Sequence, residues 1–163
     1  MLRELKTGDP APNFRAVAVG GDYGTGREVS LGDLRGKPFV LYFYPKDDTP
    51  GCTAQACGLR DNWAEIKKQA AVFGVSIDAP QRHQAFINKY QLPFPLLSDS
   101  DNKMVNDYGV WVEKSMYGKK YMGTERTTFV IDGTGHILAV FRKVKPEEHA
   151  EILKQALSPA VKN

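Results

Sequence analysis

The stretch "KPFVLYFYPKDDTPGCTAQACGLRD", residues 37 to 61, carries the pattern from which the fold can be read. From Phe39 to Tyr44 the chain is apolar without a break and rich in β-branched and aromatic residues. That is the pattern of a central strand buried on both faces. Thr49 stands where a helix N-cap belongs, Pro50 suits the first helical position, and Cys52 falls third. Beyond it Cys52, Ala56, Leu59, Trp63, Ile66 and Ala70 recur at alternating steps of four and three. This spacing predicts one amphipathic helix with a single core-facing stripe.

Outward from this strand and helix the other elements follow. "NFRAVAV" and "REVSL" read as strands of an N-terminal β-hairpin, with the glycine-rich "GGDYGTG" as its flexible tip. That tip lacks the full spacing of a dinucleotide fingerprint and does not follow a long buried strand. "AAVFGVSI" is a second buried strand. Asp78 and Pro80 open a helix carrying Phe86, Ile87 and Tyr90, which "LPFP" ends. "PLLS" is a third buried strand, and "DNKMVNDYGV" a short helix running into an irregular stretch. "RTTFVI" and "HILAVF" flank the turn "DGTG" as an antiparallel hairpin. Pro146, Glu147 and Glu148 start a last helix with Ile152, Leu153, Ala156 and Leu157 inward. The order fits a thioredoxin-like α/β fold, a central mixed sheet flanked by helices. A length of 163 residues, without repeat or linker, is expected to form a single domain over residues 1–163.

Composition removes several classes of function. Hydrophobic residues make up 42% and charged residues 25%, ordinary for a folded globular chain. The net charge of +3 is spread along the sequence, with no Lys/Arg block suited to nucleic acid or a membrane surface. The N-terminus "MLRELKTGDPAPNF" has no apolar signal core, and no run approaches the ~20 apolar residues of a membrane span. A soluble, cytoplasmic protein is the expectation. In a reducing compartment a cysteine pair points to catalysis, redox sensing or metal binding more than to a structural staple. Two cysteines and the scattered His83, His136 and His149 offer no paired-ligand spacing, so no metal site is expected.

The chemistry therefore concentrates at the strand-to-helix junction. A thiol in the third helical position faces unpaired backbone N–H groups and the positive end of the helix dipole. Both favour the thiolate, the nucleophilic form. The alternative, a small core residue heading the apolar stripe, leaves the adjacent Gly51 and the cap pattern unused. Cys57 is read less directly. In an intact helix, residues five apart lie about 140° around the axis and about 9 Å apart by Cα, whereas a disulfide needs about 7 Å or less. Either Cys57 is a buried spectator or the first turn unwinds during the reaction. The Cys-x-x-Cys spacing of a thioredoxin-type exchange enzyme is absent.

Pro45, Thr49 and Cys52 stand in the pattern Pro-x-x-x-Thr-x-x-Cys, within "FYPKDDTPGCT" at 43–53 and followed by "ACGLRD" at 56–61. With "GDPAPNF" at 8–14, "PLLSDSD" at 95–101 and "YGVWVEKSMYGKKYMGTERTTFVID" at 108–132, the chain resembles the peroxiredoxins, specifically the Q-type or bacterioferritin-comigratory-protein subfamily. The likeness runs from about Gly8 to the C-terminal helix; the glycine-rich tip at 20–26 looks longer than is usual in the subfamily. The resemblance implies that Cys52 is the peroxidatic and Cys57 the resolving cysteine. It maps the family's active-site arginine onto Arg126, which would stabilise the thiolate and hydrogen-bond the peroxide oxygens. Judged without the family, Arg126 reads as a surface ion pair with Glu125. Thr49 would hydrogen-bond thiolate and peroxide, and Pro45 would shield the pocket. Arg60 reads as a solvated helix-face charge that could help position the loop, and His83 and Trp111 as structural.

The implied activity is a thiol peroxidase, acting on hydrogen peroxide and organic hydroperoxides in antioxidant defence. A Cys52 sulfenic acid and an intramolecular Cys52–Cys57 disulfide would form in turn, and thioredoxin or a glutaredoxin-like protein would recycle the disulfide. No metal, haem, flavin or nucleotide cofactor is implied, and the subfamily resemblance leans to a monomer. Two other classes fit the same residues: a peroxide sensor that passes its oxidation to a partner, and a redox-dependent chaperone-like binding module.

Overall fold

A computed structural model describes residues 4–162, with side chains to residue 157. The strand read from Phe39 onward is β3, Phe39–Phe43, with all five residues buried. Its side chains alternate between two cores, as the pleat of a strand requires. Phe39, Leu41 and Phe43 enter one cluster with Phe14, Phe73, Tyr108 and Phe129. Val40, Tyr42 and the following Tyr44 enter the other, with Cys52, Leu59, Ile66, Phe86 and Leu153. A strand buried on both faces must lie inside a layered sheet. Leu41→Ala is expected to cost about 2–5 kcal/mol, the usual range for a core truncation.

The sheet has seven strands in the order β2-β1-β5-β4-β3-β8-β9. β1 (Arg15–Val19) and β2 (Arg27–Ser30) form the N-terminal hairpin, and β1 also pairs antiparallel with β5 (Leu96–Ser98). β3, β4 (Ala71–Ser76) and β5 run parallel. β8 (Thr127–Ile131) runs antiparallel to β3 and to β9 (Ile137–Arg142). Because Thr127 pairs with Phe43, Arg126 arrives at the end of the sheet where β3 hands over to the cysteine loop. The second core holds α1 (Pro50–Asp61), α3 (Pro80–Tyr90) and α5 (His149–Lys162) against the sheet. The first holds α4 (Lys103–Asp107).

Four local expectations are corrected. The helix from Pro50 does not run to Ala70: it stops at Asp61, and a short α2 covers Trp63–Ile66. Asn62 causes the break, its side-chain amide donating to the Gly58 carbonyl at 2.8 Å in a back-bond that competes with helix continuation. The buried stripe survives the break, with Ile66 and Ala70 still in the core. Asp78 does not cap α3; Ala79 holds that position and Asp78 turns inward. The stretch read as irregular is a second sheet, β6 (Trp111–Met116) paired with β7 (Lys119–Thr124). Its turn places Tyr117 and Gly118 at φ 52° and 79°, the left-handed pair of a tight hairpin. The fourth correction, at Thr49, belongs to the site.

Candidate active site

Thr49 is the N-cap residue of α1 by backbone geometry, and Pro50 occupies the first turn as expected. The Thr49 hydroxyl does not cap the helix, however. It donates backward to the Lys46 carbonyl at 2.8 Å, closing the loop on itself. The first-turn N–H groups beside Cys52 therefore have no side-chain cap, and the positive end of the helix stays open at the thiol. Cys52 is buried, Cys57 is partly exposed, and both thiols are free. Pro45 lies half-buried between β3 and the loop.

Arg126 reaches this turn from the start of β8. Its Nη1 donates to Cys52 Sγ at 3.5 Å and to Gln55 Oε1 at 2.6 Å. The ion pair with Glu125 that local sequence suggested does not form. Gly51 leaves room for this approach: a Cβ there would lie 3.1 Å from Arg126 Nη2, and the guanidinium would have to give by a few tenths of an ångström. Lys114 of β6 borders the same region, its ammonium held below the usual lysine range by burial and then by the Arg126 charge.

Gln55 and His149 extend the site and were not found in the sequence. Gln55 is fully buried, and its Nε2 meets His149 Nδ1 at 3.0 Å. His149 Nε2 lies 2.8 Å from Thr128 Oγ1. Burial, and secondarily the Arg126 charge, push His149 down to about 3. The Tyr42 ring packs on His149 at 5.3 Å, and its hydroxyl is buried with no hydrogen-bond partner. Tyr42 depends on Gly74, where a Cβ would meet the ring at 2.8 Å.

On the other side of the loop, residues 44–49 are pinned by carboxylates. Asp47 accepts from the Tyr44 hydroxyl at 2.5 Å and meets His83 Nδ1 at 2.6 Å. His83 Nε2 in turn lies 2.9 Å from the Leu97 carbonyl. Asp78 accepts from the Asp47 amide and the Ser76 hydroxyl, and pairs with Arg82. Asp48, at φ 58°, is held by Lys89 and Tyr90 of α3. Arg60 donates to the Tyr90 carbonyl at 2.8 Å, so it also braces this corner. Among the described residues Asp47, Asp78 and His83 form one group whose ligand atoms lie within 4.8 Å of one another. Their oxygens and ring nitrogens are already occupied by these hydrogen bonds, which is the arrangement of a structural network.

The structure thus brings Thr49, Cys52 and Arg126 to one end of the sheet, with Pro45 at the loop's start. Cys57 sits on the same intact helix, with no bond to Cys52.

A model of the AhpC/TSA family matches residues 7–140. The putative peroxiredoxin bcp of Coxiella burnetii is 50% identical over 151 residues, covering 91% of this chain and 97% of the relative. Peroxiredoxin Bcp of Escherichia coli K12 is 44% identical over 153 residues, 93% and 95% of the two chains. Among solved structures, a cysteine-to-serine mutant of Xylella fastidiosa PrxQ superposes with a TM-score of 0.87 at 32% identity, covering 97% and 98% of the two chains. The bacterioferritin comigratory protein of Xanthomonas campestris, studied for alkyl peroxide reduction, gives 0.82 at 34% identity over 91% and 92%.

Proposed function

Because the chain belongs to the AhpC/TSA family and is a peroxiredoxin of the Bcp or PrxQ group, we propose that it reduces hydroperoxides at Cys52 and closes each turnover through Cys57. The observation that carries this reading is the Arg126 guanidinium 3.5 Å from Cys52 Sγ, at the uncapped first turn of α1. The Cys52 thiolate attacks one oxygen of the peroxide along the O–O axis. The S–O bond forms as the O–O bond breaks, and the leaving oxygen takes a proton to depart as water or an alcohol. Arg126 and the open helix end lie where negative charge moves from sulfur to the leaving oxygen. The Thr49 hydroxyl, whose hydrogen is given to the Lys46 carbonyl, would have to turn before it could donate to the thiolate or to peroxide, and Pro45 limits water.

In the second step the Cys57 thiolate displaces hydroxide from the Cys52 sulfenic acid, and the hydroxide leaves as water after protonation. The disulfide spans five positions of α1, so the segment from Cys52 to Cys57 has to leave the helix first. A dithiol protein of the thioredoxin or glutaredoxin-like class then supplies two electrons and two protons. Electrons pass only among sulfur and oxygen atoms, so the cycle requires no metal, haem, flavin or nucleotide. A cytoplasmic, single-domain monomer fits this reading. No helix among the described residues is long and apolar enough to cross a membrane.

The deciding experiment is intact mass with thiol counting after one equivalent of hydrogen peroxide. The expected result is loss of both thiols and of two hydrogens within one monomer. Gain of oxygen with Cys57 still free, or a disulfide-linked dimer, would remove Cys57 from the mechanism. Cys52→Ser is expected to abolish turnover, and Cys57→Ser to complete one reduction without cycling. Steady-state consumption of peroxide with a dithiol separates the enzyme from a sensor, and sizing of oxidised and reduced protein tests the chaperone-like alternative.

A further inference from the structure

The hydrogen bonds around Gln55 fix one another's direction. Arg126 has only donors, so the Gln55 oxygen must face it, as the 2.6 Å contact has it. The Gln55 amide nitrogen then faces His149, and because that nitrogen only donates, His149 Nδ1 must be the acceptor. The imidazole is therefore neutral, with its proton on Nε2, which it donates to Thr128 Oγ1. The depressed His149 titration, to about 3, agrees with this. Three elements meet in this network: α1 with Cys52 and Gln55, β8 with Arg126 at its entry and Thr128 within it, and α5 with His149 at its start.

Gln55 lies inside the segment that has to unwind for Cys52 to reach Cys57, whereas Arg126, Thr128 and His149 lie outside it. We infer that Gln55 and His149 form a latch, with His149 the positioning residue on the C-terminal helix, that holds α1 closed around Cys52 and delays disulfide formation. When the segment opens, the Gln55 amide leaves both partners at once, and His149 Nδ1 stays behind as a buried acceptor without its donor. The latch therefore sets how long the sulfenic acid persists, and with it the interval in which a second peroxide can oxidise Cys52 further. This inference rests on the Cys52–Cys57 disulfide of the proposed function.

The test follows both thiols in time by rapid quench, thiol counting and intact mass, after one equivalent of hydrogen peroxide. His149→Phe keeps a ring in place and removes the acceptor. Loss of the second thiol is expected to become about fivefold faster, the value of one buried neutral hydrogen bond expressed as a rate. Loss of the first thiol is not accelerated. Thr128→Val removes only the outer acceptor, and is expected to shift the second step in the same direction by less. It also carries the test should His149→Phe fail to fold by circular dichroism. A general loss of packing would also ease the opening but would loosen the Cys52 pocket and slow the first step, so acceleration of the second without slowing of the first is the signature of a latch. A wild-type chain that closes the disulfide at a rate neither variant raises would overturn this inference and leave the proposed function standing. A wild-type chain that never loses its second thiol would overturn both.

Discussion

Two buried histidines flank the loop that leads to Cys52, and their surroundings are opposite. His83 has an acceptor at each ring nitrogen, the Asp47 carboxylate and the Leu97 carbonyl. A carbonyl can only accept, so Nε2 donates to Leu97, and Nδ1 pairs with Asp47 Oδ2 at 2.6 Å. His149 has a donor on one side and a hydroxyl on the other, and is neutral. The first network is charge-assisted and joins the loop before Thr49, α3 and β5, all of which lie outside the segment from Cys52 to Cys57. The second is made of neutral bonds, apart from its Arg126 end, and crosses the segment that has to open. Charge-assisted hydrogen bonds are roughly twice as strong as neutral ones. The difference teaches where charge enters each network: at the histidine where the loop is anchored, and at Arg126 where the proposed cycle releases the helix, with His149 adding a neutral bond there.

The largest effect is expected on the anchored side. Asp47→Ala strands the Tyr44 hydroxyl and His83 together in the core, and is expected to cost about 3–5 kcal/mol in a urea titration. Asp47→Asn is the sharper variant. Its amide can accept from Tyr44 and donate to a neutral His83, so it should recover most of that loss if hydrogen bonds alone anchor the loop. An Asn variant as unstable as the Ala variant would show that the charge is required. On the released side, Arg126→Gln removes a donor from the developing charge. It is expected to lower kcat/KM for hydrogen peroxide by about 10²–10³-fold, with little change in stability. A fall below tenfold would mean that the helix end alone carries the stabilisation.

How much of this was legible depended on sequence distance. The buried β3 and the position of Cys52 were plain, because strand pattern, cap position and helix period all lie within residues 37–61. The β6–β7 hairpin was missed: its turn is Tyr117-Gly118, which lacks the usual Asn-Gly or Asp-Gly signal, and most of its residues are exposed or half-exposed. The break at Asn62 and the backward Thr49 bond are side-chain-to-backbone choices that hydrophobic period does not record. Arg126 entered through family resemblance alone. Asp47 with His83, and Gln55 with His149, are pairs 36 and 94 residues apart. Only the strand order brings them together, and a single sequence holds no local trace of that.

The pH dependence of stability separates the two histidines next. His149 lies at about 3 in the folded chain, against an ordinary 6.5, through burial first and the Arg126 charge second. Between those values the unfolded chain binds a proton that the folded chain does not. This contribution is present above about pH 6.5, is lost as pH falls through that window, and amounts to at most about 1.4 kcal/mol per pH unit. Urea midpoints of wild type and His149→Phe, compared between about pH 6 and pH 4, should therefore show the shallower slope in the variant. The charged and titratable neighbours Arg126 and Tyr42 remain in both proteins, so they cancel in the comparison. Equal slopes would mean that His149 is already reached by solvent in the folded state.

The smallest effect concerns the link between the networks. Tyr44, whose hydroxyl serves Asp47, stacks on Tyr42 at 5.4 Å, and Tyr42 packs on His149 at 5.3 Å. An aromatic bridge thus joins anchor to latch, but no hydrogen bond crosses it, since the Tyr42 hydroxyl has no partner. Ring contacts transmit shape, and both rings are fixed by dense packing in one core. A double-mutant cycle of Asp47→Asn and His149→Phe is therefore expected to be additive within about 0.5 kcal/mol, as for sites without shared partners. Tyr42→Phe should leave that additivity unchanged and be neutral or slightly stabilising, because it removes an unsatisfied buried hydroxyl. A coupling well above that value, abolished by Tyr42→Phe, would mean that the Tyr42 hydroxyl carries information between the networks. The anchor would then have to move when the latch opens, and the division of duty between the two histidines would fail.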